Sequence, residues 1–250
     1  MLKYINPINW KLWQKMLIII IVMGGVIIVG LNQLLPLHND TINFSQKELD
    51  GCKYVDPLHK LLSNAAKYRV LSVSALSGDE TTKNALASIE ANIDANLKDL
   101  DTQEQAKGSE GKALGLSLQT TDKFNRLKQS WEATKSRAIN QETIEQRGKF
   151  VTDIVGLITT VGDNSNLILD PDLDTFYLMV TLLYDGPKMT EELNSLKELS
   201  INVASRKAIT SAEKQKMAIL VGKVQLSYET VKRSMTVAFQ NKDVSTKLTP

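Results

Sequence analysis

SNLILDPDLDTFYLM, residues 165–179, sets three aspartates at alternate positions in an otherwise apolar run. Whether it is a metal loop, an acid pair or the start of a helix decides how the second half of the chain folds. A calcium loop of the D-x-[DN]-x-[DN]-G-x5-E kind needs a glycine for its sharp turn and a distal acid that binds the ion through both oxygens. Counted from Asp170, those positions hold Thr175 and Thr181, so the ligand set is incomplete. A helix entrance suits every residue. Asp170 is the expected N-cap, Pro171 the first helical residue, and Asp172 and Asp174 complement the positive end of the helix dipole. Leu173, Phe176, Tyr177, Val180, Leu183 and Tyr184 then follow at helical spacing and form one apolar stripe.

Outward from this motif the chain reads as helical. No proline occurs between Leu58 and Asp170, and strand-like alternation never persists. Apolar stripes at spacings of three and four run from Val55 to Leu76, from Leu86 to Leu100, from Leu114 to Ala138 and from Ile144 to Leu169. A fifth starts at the aspartate motif and runs toward Ala208, with a kink or short break expected at Gly186-Pro187, where a helical donor is lost. The sixth opens on Thr210-Ser211-Ala212-Glu213, the spacing of a capping box, and carries Met217, Leu220, Val224, Tyr228, Val231, Met235 and Ala238. These segments predict an all-α chain whose exported part is an elongated antiparallel helical bundle.

The N-terminus predicts a membrane anchor. Residues 16–37 carry no charged side chain, and at about 1.5 Å per residue the run crosses a hydrocarbon core of roughly 30 Å. Lys3, Lys11 and Lys15 precede it without an acid, and the first acid is Asp40, so the positive-inside rule puts residues 1–15 in the cytoplasm. Trp10 and Trp13 stand where an interfacial aromatic belt belongs. A cleaved signal would have a shorter apolar core ending in small residues, whereas the first alanine here is Ala65. Residues 16–37 are therefore expected to span the inner membrane uncleaved, and residues 38–250 to form a periplasmic or otherwise extracytoplasmic region.

Several function classes are disfavoured. Thirty basic and 28 acidic residues leave a formal charge of +2, which argues against a nucleic-acid surface. Cys52 is the only cysteine, and His38 and His59 are the only histidines, so no intrachain disulfide and no zinc site of the usual Cys/His kind can form. No nucleophile elbow, phosphate loop or H-E-x-x-H stretch occurs, and neither catalysis, a metal nor a cofactor is expected. One charged residue falls on an apolar stripe. Arg69 projects with Leu58, Leu62, Ala65 and Leu76, so its guanidinium either reaches along the surface to water or finds an anionic partner inside. Arg69 and Tyr177 are the candidate ligand contacts.

GCKYVDPLHKLL at 51–62, YRVLSVSALSGD at 68–79, Trp131 and especially DNSNLILDPDLDTFYLM at 163–179 resemble the extracytoplasmic helical sensor region of bacterial methyl-accepting chemotaxis proteins. Some membrane histidine kinases and diguanylate cyclases share that region. The family usually has a histidine where Tyr68 stands and an acid where Val180 stands. The resemblance implies a homodimeric receptor input that recognises a small molecule or protein. It also implies a second membrane helix, a HAMP linker and a cytoplasmic transmitter. None of these precedes Pro250, so a sensor fragment lacking its last bundle helix is expected.

Overall fold

A computed structural model describes residues 11–78, 81–135, 137–169 and 171–240, so the expected cap Asp170 and the expected interfacial Trp10 lie outside the described residues. The chain divides into two compact units, Met1–Ser45 and Gln46–Pro250. The fold is all-α, and among the described residues the only bridge between extended residues pairs Lys107 with Ala113.

Helix α1 is assigned over Leu12–Leu76. Its N-terminal part, in the first unit, is long and apolar enough to cross a membrane, with a mean hydropathy of 2.5 and none of that window buried. Trp13 is exposed just before this apolar stretch.

The second unit begins with the rest of α1. It continues with α2 (Thr82–Gln105), the single turn α3 (Leu114–Ser117), α4 (Thr121–Lys135) and α5 (Gln141–Asn164). Their apolar stripes meet in one core in which Leu58, Leu62 and Ala65 of α1 are buried with Ile93 and Leu100 of α2 and Ile154 and Ile158 of α5. Trp131 of α4 is fully buried at its centre, with Tyr68 edge-on at 5.3 Å and Phe150 stacked at 5.4 Å. Aromatic pairs in these geometries add to what area burial alone contributes. The indole N–H donates to Asp94 Oδ1 at 2.6 Å, so the large apolar surface is buried without orphaning its one polar atom.

The stripe expected as one helix from Leu114 to Ala138 is broken. Gln119 adopts a left-handed φ of 54°, and the Thr120 amide returns to the Gly115 carbonyl before α4 begins. The break serves a buried acid. Glu104 accepts from the Thr120 hydroxyl at 2.6 Å, from Thr121 at 2.8 Å and from the Tyr54 hydroxyl. The expected fourth stripe also ends early: α5 stops at Asn164, and Leu169 beyond it is exposed.

The aspartate motif starts its helix two residues later than expected. Helix α6 spans Leu173–Val180 with Asp172 extended in the N-cap position, so Pro171 lies before the helix rather than inside it. Asp174 stays in the first turn, as the charge argument requires. Instead of a break at Gly186-Pro187, α6 passes through a π-helical turn, Thr181–Asp185, into α7 (Gly186–Arg206). Proline explains the turn. The Gly186 amide reaches back five residues to the Thr181 carbonyl, and an ideal Cβ at Gly186 would lie 2.9 Å from that oxygen. In this register the Leu182 carbonyl faces Pro187, which has no N–H to give. The Leu182 backbone instead lies beside the imidazole of His59 on α1, where it favours the protonated ring.

Helix α8 (Ser211–Ala238) opens on the expected capping box, with Thr210 and Glu213 bonding reciprocally. It packs against α6 and α7 along a seam at spacings of three and four in which Leu220, Ser227, Ser234 and Ala238 are buried and Val224 and Val231 half-buried. Tyr228, expected on that stripe, lies one position off the seam and is 52% exposed. The Ser227 hydroxyl donates to Glu192 Oε2 at 2.5 Å, linking α8 to α7.

Burial holds the His59 pKa below the ordinary histidine value, against the opposing pull of Asp56, and its Nε2 is buried without a hydrogen-bond partner. A base whose folded pKa is depressed carries no penalty above its unfolded pKa of about 6.5, and stability is lost as pH falls below that value toward the folded one. The melting temperature of the full chain is therefore expected to drop between about pH 7 and pH 5. His59→Gln keeps a polar group beside Leu182 without titrating, and a shallower drop in the same scan is the expected result.

Candidate functional site

Arg69 leaves α1 between two helices that accommodate it differently. On the α5 side the guanidinium lies over Gly148, where an ideal Cβ would be a tight 3.0 Å from Arg69 Cζ, so a side chain there would push the guanidinium aside. On the α7 side Arg69 Nη2 is 2.5 Å from Glu198 Oε2, and the two side chains are 14% and 16% exposed. Of the two fates expected for this arginine, the structure has the interior partner. The pair is close but poorly aligned: Arg69 Nε and Glu198 Oε2 are both buried without a geometrically acceptable hydrogen bond. It is an ion pair whose hydrogen-bonding capacity is not fully used.

Beyond this pair a cleft of about 500 Å³ opens between α7 and α8. Arg69, Glu198, Arg206, Glu213 and Lys216 contribute its charges. Gln141, Ser195 and Asn202 add neutral hydrogen-bonding groups, and Leu199 and Leu220 add apolar surface. Glu198 and Asn202 share one side of α7 because they are four residues apart. Arg206 ends α7 and pairs with Glu213, the acid of the α8 capping box. Hydrogen bonds from the Thr210 backbone and hydroxyl, helped by Arg206, hold the Glu213 carboxyl below its ordinary pKa, so it is an anion at neutral pH. Lys216, one turn further along α8, is exposed and has no ion-pair partner among the described residues.

A second polar cluster adjoins this pair, with Tyr68 and Ser72 flanking Arg69 on α1 and Arg147 next to Gly148 on α5. Arg147 of α5 is 3% exposed, stacks over the Tyr68 ring at 4.3 Å and donates to Ser72 Oγ. The Tyr68 hydroxyl donates to Glu90, and the Ser72 hydroxyl donates to the Tyr68 carbonyl at 2.6 Å. Burial lowers the Arg147 pKa and raises that of Tyr68, each shift opposing the charged form. These groups bond mainly to one another, with Arg147 Nε left without a partner, and they read as core structure.

The remaining candidates do not join Arg69. Tyr177 packs edge-on against Phe176 at 5.6 Å and does not line the cleft. Asp174 Oδ1 accepts from the Thr175 amide at 2.9 Å, and the Asp172 carbonyl accepts from the Thr175 hydroxyl at 3.1 Å, so both act in the helix start. Among the described residues no cluster of acids, histidines and cysteine has the makings of a metal site. The sequence reading missed Glu198, Arg206, Glu213 and Lys216. It also missed Arg147, although the signal that marks Arg69 was present: a charge on the stripe of Ile144, Val151, Ile154 and Ile158.

No family model matches the chain, and no curated protein or solved structure matches it either.

Glu198→Ala strands the Arg69 cation and is expected to destabilise the full chain by roughly 2–4 kcal/mol, the low side of the range for buried pairs because some water reaches both groups. The double variant Arg69→Leu/Glu198→Leu is expected to recover most of that loss in chemical denaturation, since two apolar side chains leave no charge uncompensated.

Proposed function

We propose that the chain is the ligand-sensing input of a membrane receptor of the methyl-accepting chemotaxis type, dimeric, anchored in the inner membrane by residues 16–37 and holding residues 38–250 outside the cytoplasm. The observation that carries this reading is the polar cleft at Arg69: a partly buried, incompletely hydrogen-bonded charge pair opening onto a space of about 500 Å³. Pockets of roughly 300–1,000 Å³ with a few convergent polar groups suit small ligands. A ligand that engages Glu198 or Arg206 together with Lys216 touches α7 and α8 at once and favours whichever packing of those helices it fits best. The sequence resemblance to chemoreceptor sensor regions, centred on residues 163–179, points the same way. The same input on a histidine kinase or diguanylate cyclase differs only in its output domain.

A second reading, a membrane-tethered adaptor that binds another protein, is favoured by the exposed apolar side chains Ile219, Val221, Leu226 and Tyr228 of α8. Thermal unfolding of the full chain in lipid nanodiscs, screened against small metabolites, separates the two. A ligand selective for the folded state raises the apparent melting temperature, by about 2.7 kcal/mol of added stability at a hundredfold excess over Kd. No stabilising metabolite, together with stoichiometric co-purification of one protein, replaces the sensor by the adaptor.

Orientation has its own test, because Cys52 is free and exposed. A membrane-impermeant maleimide is expected to label it in cells whose outer barrier has been opened. Labelling only after full lysis overturns the extracytoplasmic placement.

A further inference from the structure

The charges lining the cleft select among ligand classes, and we propose that it takes a small organic monocarboxylate with a short apolar tail, an inference that rests on the sensor reading above. Three cations, Arg69, Arg206 and Lys216, face two acids, Glu198 and Glu213. Subtracting two negative charges from three positive ones leaves one positive charge uncompensated. The excess can be assigned to one residue, because Arg69 is paired with Glu198 and Arg206 with Glu213. Lys216 is left at the rim. A monoanion restores neutrality, a dianion overshoots it, and a cationic ligand adds to charge already in excess.

The neutral lining completes the recognition. A carboxylate has two oxygens and about four lone-pair directions, more than one ammonium fills. The amides of Gln141 and Asn202 and the hydroxyl of Ser195 supply further donors in the same cleft. Leu199 and Leu220, each 9% exposed, form an apolar surface that a sugar or a second carboxylate would not use. A short alkyl or aryl group fits this surface, and burying each methylene there is favourable by about 0.8 kcal/mol. Arg206 and Glu213 also bracket the turn between α7 and α8, so an anion drawn to Lys216 lies beside the ion pair that ties the two helices together. This gives the ligand a route to their relative packing.

The test is calorimetric titration of the full chain in nanodiscs with acetate, butyrate and benzoate, alongside succinate, putrescine and glucose. Butyrate or benzoate is expected to bind more tightly than acetate and more tightly than the three comparators. Lys216→Glu is expected to weaken that binding by about tenfold or more, the effect of losing one charged hydrogen-bond partner, while Lys216→Arg retains it. Because Lys216 is exposed and unpaired, both variants are expected to melt like the parent, and a melting scan checks this. Monocarboxylate binding that Lys216→Glu leaves unchanged overturns the site. Preferred binding of succinate, putrescine or glucose overturns the ligand class but keeps the sensor reading. No binding by any probe, with no stabilising metabolite in the wider screen, overturns both.

Discussion

A guanidinium removed from most of its water needs polar or π partners and room for its plane, and the position of Arg69 sets those conditions on two other helices at once. On α5 the guanidinium lies where Gly148 has no side chain, and on α7 it meets the carboxylate of Glu198. A helix that supplies a carboxylate to a fixed point has its rotation and height set to within about a turn. Helix α8 then follows from α7 through the Arg206–Glu213 pair and the capping box. The cleft lies where these charged side chains stand between α7 and α8, helices that are otherwise packed against each other.

The same logic recurs wherever a polar group enters the core. Glu104 is surrounded by the hydroxyls of Tyr54, Thr120 and Thr121, and the helix expected to run unbroken past residue 119 is interrupted to bring two of them in. Arg147 is stacked on Tyr68 and bonded to Ser72. Asp94 receives the Trp131 indole. Each arrangement links residues far apart in the chain, so each specifies a pairing of helices that apolar contact alone would leave free to slip. The difference at Arg69 is that its partners do not fill the space around it.

Much of the fold was legible in the sequence because helices announce themselves locally. The stripe of Leu86, Ile93, Leu97 and Leu100, the Thr210–Glu213 box and the proline at 187 all act within a turn or two of where they stand. What could not be read depends on partners distant in sequence. The split at Gln119 is enforced by Glu104, which the local stripe of Leu114, Leu118 and Phe124 does not reveal. The aspartate motif was rightly a helix entrance, yet three acids flanking one proline offer more than one place to begin, and the helix begins at Leu173. Arg69 was detectable as a charge on an apolar stripe, but Glu198, Arg206 and Lys216 carry no such mark. They sit on helix faces that would be solvated in isolation, and they become a site only because α7 and α8 turn them toward one another.

The seam of α8 carries a further implication. Leu220 is its one large buried side chain; beyond it the buried positions are the small residues Ser227, Ser234 and Ala238, and the larger Val224 and Val231 between them are only half-buried. Bulky knobs resist axial sliding because each must climb out of its hole, whereas small ones present a nearly smooth track. Along this seam, then, shape interlocks only shallowly, and the Ser227–Glu192 hydrogen bond and the ion pair at the N-terminal end of α8 add directional restraint on its register. Part of the resistance to a piston-like displacement of this helix is therefore electrostatic, and that part softens as the local dielectric or ionic surroundings change.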